Sequence, residues 1–182
     1  MEILVARHGQ TDWNVRKKVQ GKADIELNGK GIEQAKNVQK LLENEKIDLI
    51  ICSTLKRAKQ TAQIVNEKRN LPIICDERLE ERDFGEYEGE EKDKFDFSSF
   101  WCYSKNLKYE KAESIKDFFN RVYIFLDEIK EKYKDKNILL VTHGGVSIPI
   151  YCYFNGVPDE KDLIYLGIGN CEIKKYTVNL EV

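Results

Sequence analysis

Residues 3–9 read ILVARHG and residues 138–145 read ILLVTHGG. Each opens with a short, unbroken aliphatic run, residues 3–6 and 138–141, the pattern of a strand buried on both faces, and each then empties into a histidine followed by glycine. A third run of the same kind, residues 48–52 (DLIIC), leads into Ser53 and Thr54, which signal a helix N-cap, and then a helical stretch from residue 55 to about 68. Asn28 predicts the cap of another helix over residues 29 to about 43, with Ile32, Ala35, Val38, Leu41 and Leu42 on its packing face. Residues 72–75 read as a weaker strand. Residues 113–134 give the longest helical pattern, burying Ile115, Phe118, Phe119, Val122, Phe125, Leu126 and Ile129. Toward the end, residues 163–166 and 171–178 are expected as two strands joined through Gly167-Ile168-Gly169-Asn170 as a hairpin. Strands alternating with helices predict an α/β fold, a three-layer α/β/α sandwich with a mostly parallel central sheet and helices on both faces.

At 182 residues, with no internal repeat or low-complexity linker, the chain is expected to form a single domain over residues 1–182. The one compositional break is at about residues 86–112, an aromatic-rich segment read as an insertion over a site. Lys plus Arg number 30 against 32 Asp plus Glu, a formal charge of −2, which argues against a nucleic-acid partner or an anionic membrane surface. With 41% hydrophobic and 34% charged residues the composition is that of a soluble globular protein. No run approaches the roughly 18 apolar residues of a membrane span, and MEILVARHG lacks the basic start and cleavage site of a signal peptide, so the expected location is cytoplasmic. Cys52, Cys75, Cys102, Cys152 and Cys171 show no CxxC spacing and are expected as reduced thiols rather than a disulfide framework or zinc site.

Ligands of α/β sheets gather at the carboxyl ends of strands, and both histidines of the chain, His8 and His143, fall there. A lone histidine is more often structural, but each of these precedes glycine, which lets backbone approach a ligand and leaves N–H groups to face an anion. Arg7 and Arg57 add two guanidiniums near strand ends, and their planar forks match phosphoryl oxygens better than an ammonium does. Taken alone, Arg57 beside Lys56 and Lys59 is equally an ordinary charge on a surface helix. Together the four residues read as an anion pocket.

At this point the sequence resembles the histidine phosphatase superfamily, the phosphoglycerate mutase-like family. The matching signature runs through Arg7-His8-Gly9, Thr11, Trp13-Asn14, Gln20-Gly21, Asp24, Leu27, Gly31 and Gln34-Ala35, then Ser53, Leu55, Arg57-Ala58 and Gln60-Thr61-Ala62. It continues through Leu79, Glu81, Phe84-Gly85, Glu88-Gly89, Glu113-Ser114, Arg121 and Val141-Thr142-His143-Gly144-Gly145. The resemblance implies that His8 is a nucleophile forming a phosphohistidine, that Arg7, Arg57 and His143 surround the phosphoryl oxygens, and that Asn14, Gln20, Gly21 and Gly144 assist in binding phosphate or substrate. By the same resemblance Glu81 is the proton donor and base, with Glu80 one register away as its rival. Departures from the family pattern are Gln10 where many relatives carry glutamate, Asn28 at the cap and Ala112 before Glu113.

The implied chemistry needs no cofactor and no metal, and no HExxH or HxH spacing occurs in the chain. Mutases of the family carry a longer middle insertion with an arginine pair, whereas residues 90–112 contain lysines but no arginine. The resemblance therefore points to a phosphatase of the alpha-ribazole phosphatase and broad-specificity branch, acting on a small-molecule phosphomonoester as a monomer or homodimer. The competing readings are a phosphoglycerate mutase and a non-catalytic phosphate-ligand binding or regulatory protein. Phe97, Trp101, Tyr103 and Tyr109 either wall the leaving group or anchor the insertion to the core.

Overall fold

The computed structural model describes residues 1–159 and 162–178, so positions 160–161 and 179–182 of the expected domain lie outside the described residues. In chain order it contains β1 (Glu2–Arg7), a one-turn helix α1 (Asp12–Val15), α2 (Gly29–Leu41), β2 (Leu49–Cys52), α3 (Lys56–Asn66) and β3 (Ile73–Cys75). After a series of 3-10 turns come α4 (Ile115–Lys132), β4 (Ile138–Thr142), α5 (Ser147–Asn155) and β5 (Ile173–Thr177). The sheet order is β3-β2-β4-β1-β5; every pairing is parallel except β5 against β1.

Strand residues alternate between two cores because the sheet is covered on both sides. Ile3, Val5, Leu49, Ile51, Ile138 and Leu140 pack with the apolar faces of α4 and α5. Leu4, Ala6, Ile50, Cys52, Leu139 and Val141 pack with α2 and α3. Strands buried this way have no polar face, which is why periodicity vanishes from their sequence. The seven residues expected inside the longest helix are all buried along α4, and the Ser114 side chain caps that helix by accepting from the Asp117 N–H.

Two expectations are corrected. Residues 163–166 are not a strand: Ile164–Leu166 forms a single 3-10 turn, and β5 pairs with β1 rather than folding back in a hairpin. The intervening loop is committed elsewhere, since the Ile168 carbonyl accepts from Arg7 Nη1 at 2.9 Å and Asn170 Nδ2 donates to the His8 carbonyl at 3.0 Å. On α2, Asn28 caps as expected by accepting from the Gly31 N–H, but Ile32 and Leu41 are 40% and 72% exposed. The inner stripe is Gly31, Ala35, Val38 and Leu42, at i, i+4, i+7 and i+11. Gly31 sets that rotation: a Cβ there would stand 2.1 Å from the Gln10 carbonyl oxygen, so only glycine lets the helix meet the loop after β1 so closely.

The aromatic segment packs through its own rings. Tyr109 stacks on Phe100 at 3.8 Å and Tyr103 leans on Phe119 at 4.8 Å, while Phe97 and Trp101 turn toward the carboxyl end of the sheet. No helix among the described residues is long and apolar enough to cross a membrane.

Candidate active site

The register of two neighbouring strands brings the histidines together. Arg7 of β1 sits opposite Thr142 of β4 in a parallel pair, so the next residue of each strand is a histidine, and the His8 N–H donates to the Thr142 carbonyl at 2.9 Å. The two imidazole centroids are 5.1 Å apart, edge to face. His8 Nδ1 lies 2.7 Å from the Gly9 carbonyl oxygen. A carbonyl only accepts, so Nδ1 carries the proton and Nε2 keeps its lone pair. Burial, reinforced by the Arg57 and Arg7 cations, holds the His8 pKa well below the usual imidazole value, which keeps the ring neutral.

His143 is fully buried and stands behind the cleft wall rather than on it. Its Nδ1 accepts from Arg57 Nε at 3.1 Å, so its proton sits on Nε2, which donates to Ser53 Oγ at 2.8 Å. Burial and then Arg57 lower its pKa as well, so this ring too is neutral. Arg57 is clamped through all three nitrogens, with Nη1 and Nη2 each donating at 2.7 Å to the carbonyls of Ala23 and Gly21. Burial pulls its pKa down to about 10, well above neutral pH, so the guanidinium remains a cation with one N–H on each Nη still to give. Arg7 is held by Ile168, yet its Nε is buried without a protein acceptor. A buried donor left unmet costs about 1–3 kcal/mol, and Arg82 Nη2 and Trp101 Nε1 share this state.

Around these cations the smaller residues are placed by tight backbone. Asn14 closes a capping box with Thr11 over α1, and its Oδ1 accepts from the Thr11 N–H at 3.0 Å, which leaves the Nδ2 donor for the cleft. Gln20 also lines the cleft, its Oε1 accepting from Thr11 Oγ1 at 3.0 Å. Gly21 lines it too, at φ +51°, and gives its carbonyl to Arg57. Gly144 lets Arg7 lie flat on it, since a Cβ would stand 3.1 Å from the guanidinium carbon.

The two carboxylate candidates separate cleanly. Glu81 lines the cleft and is fixed by accepting from the Gly145 N–H through Oε2 and the Arg82 N–H through Oε1, both at 2.9 Å. Glu80 turns the other way, accepting from Thr54 Oγ1 and pairing with Lys22 at 3.2 Å. Ser53 and Thr54, expected to cap α3, are thus engaged with His143 and Glu80, and Leu55 occupies the N-cap position without a side-chain cap bond. Gln10 faces α2 rather than the imidazole, receiving Asn28 Nδ2 on its Oε1 while its N–H donates to Gln34.

Sequence reasoning missed three residues. Ser53 orients His143, and its position right after a buried strand was the available signal. Asn170 holds the His8 carbonyl from a loop that looked like a hairpin turn. Arg82, wholly buried, donates to the Glu113 and Phe100 carbonyls and packs among Phe84, Phe100 and Trp101, but reads in the sequence as part of a charged run. Of the four aromatics in question, Phe97 and Trp101 join Phe84 as an apolar wall of the cleft, whereas Tyr103 and Tyr109 anchor the segment to the core.

The cleft has two guanidiniums and a neutral imidazole at its floor and an apolar wall opposite, around a cavity of about 130 Å³. Fold and site together define an α/β protein with two guanidiniums gathered beside a neutral histidine at the carboxyl end of its sheet. The family profile described as the histidine phosphatase superfamily (branch 1) matches residues 3–181, and the chain belongs to that superfamily. It is 34% identical to the uncharacterized phosphatase PhoE of Bacillus subtilis over 97% of this chain and 94% of that one. It is 33% identical to the adenosylcobalamin/alpha-ribazole phosphatase of Escherichia coli, over 88% of this chain and 82% of the relative. Among solved structures, YhfR of Bacillus stearothermophilus superposes with a TM-score of 0.87 at 30% identity, covering 98% of this chain and 91% of that one.

Proposed function

We propose that the protein hydrolyses small-molecule phosphomonoesters through a phosphohistidine at His8. The observation that carries this reading is the locked tautomer: Nδ1 is tied to the Gly9 carbonyl, so Nε2 offers a lone pair beside two buried guanidiniums. In the first step Nε2 bonds to phosphorus as the bond to the leaving oxygen breaks, and Glu81 in its acid form gives that oxygen a proton. In the second, the Glu81 carboxylate takes a proton from water, whose oxygen displaces His8 and releases orthophosphate. Arg7 and Arg57 face the charge spread over the equatorial oxygens, supported by Asn14 Nδ2 and the Gly144 N–H. His143 holds Arg57 through Nδ1, backs His8 and is itself oriented by Ser53.

The chemistry is assigned to this chain's own side chains without a metal, so chelators are expected to leave turnover intact. For the substrate, the name of the Escherichia coli relative makes alpha-ribazole phosphate the first compound to try. The absence of arginine from residues 90–112 and the apolar wall of Phe84, Phe97 and Trp101 favour hydrolysis over phosphoglycerate exchange. The test is hydrolysis of p-nitrophenyl phosphate by the wild type and by His8→Ala, followed by a panel of sugar phosphates, nucleotides, phosphoglycerates and alpha-ribazole phosphate. Turnover lost in His8→Ala is the expected result. A folded wild type that binds phosphate without turnover would move the reading to a binding protein, and primed phosphoglycerate interconversion faster than hydrolysis would make it a mutase.

A further inference from the structure

Cys52 and Cys75 close β2 and β3, and they are direct partners in the parallel register of those strands. Their sulfurs lie 3.7 Å apart. Neighbouring strands run about 4.8 Å apart, within the Cα separations that disulfides span. Cys52 is wholly buried and Cys75 is exposed on a three-residue strand at the edge of the sheet. The chain on either side of this pair leads straight into the cleft. Ser53, next to Cys52, receives the His143 proton, and Arg57 follows one turn later. Asp76, next to Cys75, donates its N–H to the Cys52 carbonyl at 2.9 Å and opens the 3-10 turn Glu77–Leu79 that delivers Glu81.

We infer that Cys52 and Cys75 form an oxidisable dithiol whose closure to a disulfide displaces the two segments carrying Arg57 and Glu81 and lowers turnover at the cleft. The co-reactant is a low-molecular-weight disulfide. The exposed Cys75 thiolate attacks it, the reagent's S–S bond breaks, and one thiolate leaves and takes up a proton. Cys52 then attacks the mixed disulfide at the Cys75 sulfur, expelling the second thiolate, which receives the proton Cys52 gives up. Two cysteine thiols are oxidised by two electrons and the reagent is reduced to two thiols. Cys75 is exposed and Cys52 buried, so the reagent reaches Cys75 first; burial, helped by Cys75, also pushes the Cys52 thiol up to about 12. A disulfide needs the sulfurs near 2.05 Å, so closure must re-aim both side chains at the strand ends from which Ser53 and Asp76 lead off, and a shift of about 1 Å passed on to a catalytic group suffices to cost around a hundredfold in rate.

This inference rests on the proposed phosphatase reading only for its effect on turnover; the bond itself is read without any substrate. The reduced full-length protein is incubated with oxidised glutathione, then examined by intact mass and by peptide mapping under non-reducing conditions, with p-nitrophenyl phosphate turnover followed in parallel. The expected result is transient glutathionylation at Cys75, then a Cys52–Cys75 cross-link with loss of two hydrogens, at least about a tenfold fall in turnover, and recovery with dithiothreitol. Cys75→Ser should retain turnover throughout, and Cys52→Ala should stop at the glutathione adduct. Cross-linking through any other cysteine, an adduct on the wild type that never resolves, or a Cys52–Cys75 bond that leaves turnover unchanged would overturn the inference. If no preparation hydrolyses any ester, the phosphatase reading fails while the mass data still decide whether the dithiol closes.

Discussion

At the scale of single residues, the proposed chemistry turns on which atoms hold protons. His8 donates Nδ1–H to Gly9 and is kept neutral chiefly by burial. A pKa moved below the ordinary imidazole value means that the reactive neutral form persists as the solution is made acidic. Imidazole NMR signals of His8 should therefore stay those of the neutral Nδ1–H tautomer as the solution is acidified through pH 6.5, where a free histidine titrates. A titration at that ordinary value would contradict the burial argument. Glu81 and Glu80 give a second test. Glu81→Gln should slow alkyl phosphates by about a hundredfold and aryl phosphates much less, because activated leaving groups need little protonation. Glu80→Gln removes only a surface pair with Lys22 and a bond from Thr54, so its turnover should stay within about twofold. Equal losses for both ester classes in Glu81→Gln would remove the proton-donor role. Sequence separated these carboxylates only by resemblance; the physical distinction is that Glu81 meets the Gly145 N–H, a contact that a linear run of acids does not reveal.

At the scale of elements, much was legible because burial leaves a strong mark on sequence. Both histidine strands and α4 could be read from apolar runs and helical spacing, and α4 supplies a stability test. Phe118 is wholly buried under the sheet while Ile124, on the same helix, is 52% exposed. Phe118→Ala should cost about 3–5 kcal/mol in denaturant unfolding and Ile124→Ala less than about 1 kcal/mol. Comparable losses would mean the packing face is misplaced. What escaped the sequence were elements whose shape is set by partners far along the chain. Residues 163–166 have strand-like composition, but the loop after them is drawn to Arg7 and His8, so no hairpin ladder forms. Ser53 and Thr54 have the chemistry of caps, yet His143 and Glu80 take their hydroxyls. Ile32 is apolar at helical spacing, but the close approach of Gly31 to Gln10 turns it outward.

At the scale of the whole molecule, a chain of net charge −2 gathers Arg7 and Arg57 in one cleft, where the strongest opposing charge felt by both is the Glu81 carboxylate. On the proposed reading, an oxyanion between the two desolvated guanidiniums stabilises the folded protein. Orthophosphate at a hundred times its Kd should add about 2.7 kcal/mol and raise the melting temperature by roughly 5–10 °C. Sodium chloride at the same ionic strength should not. An equal rise with both salts would mean general screening rather than a built anion site.

The most direct test of the central claim is to quench a reaction with ³²P-labelled ester within a turnover and map the label. Phosphate attached to His8 through an acid-labile bond, and absent from His8→Ala, is the expected result. Label recovered on serine, cysteine or carboxylate, or turnover with no label on the protein at any time, would contradict it.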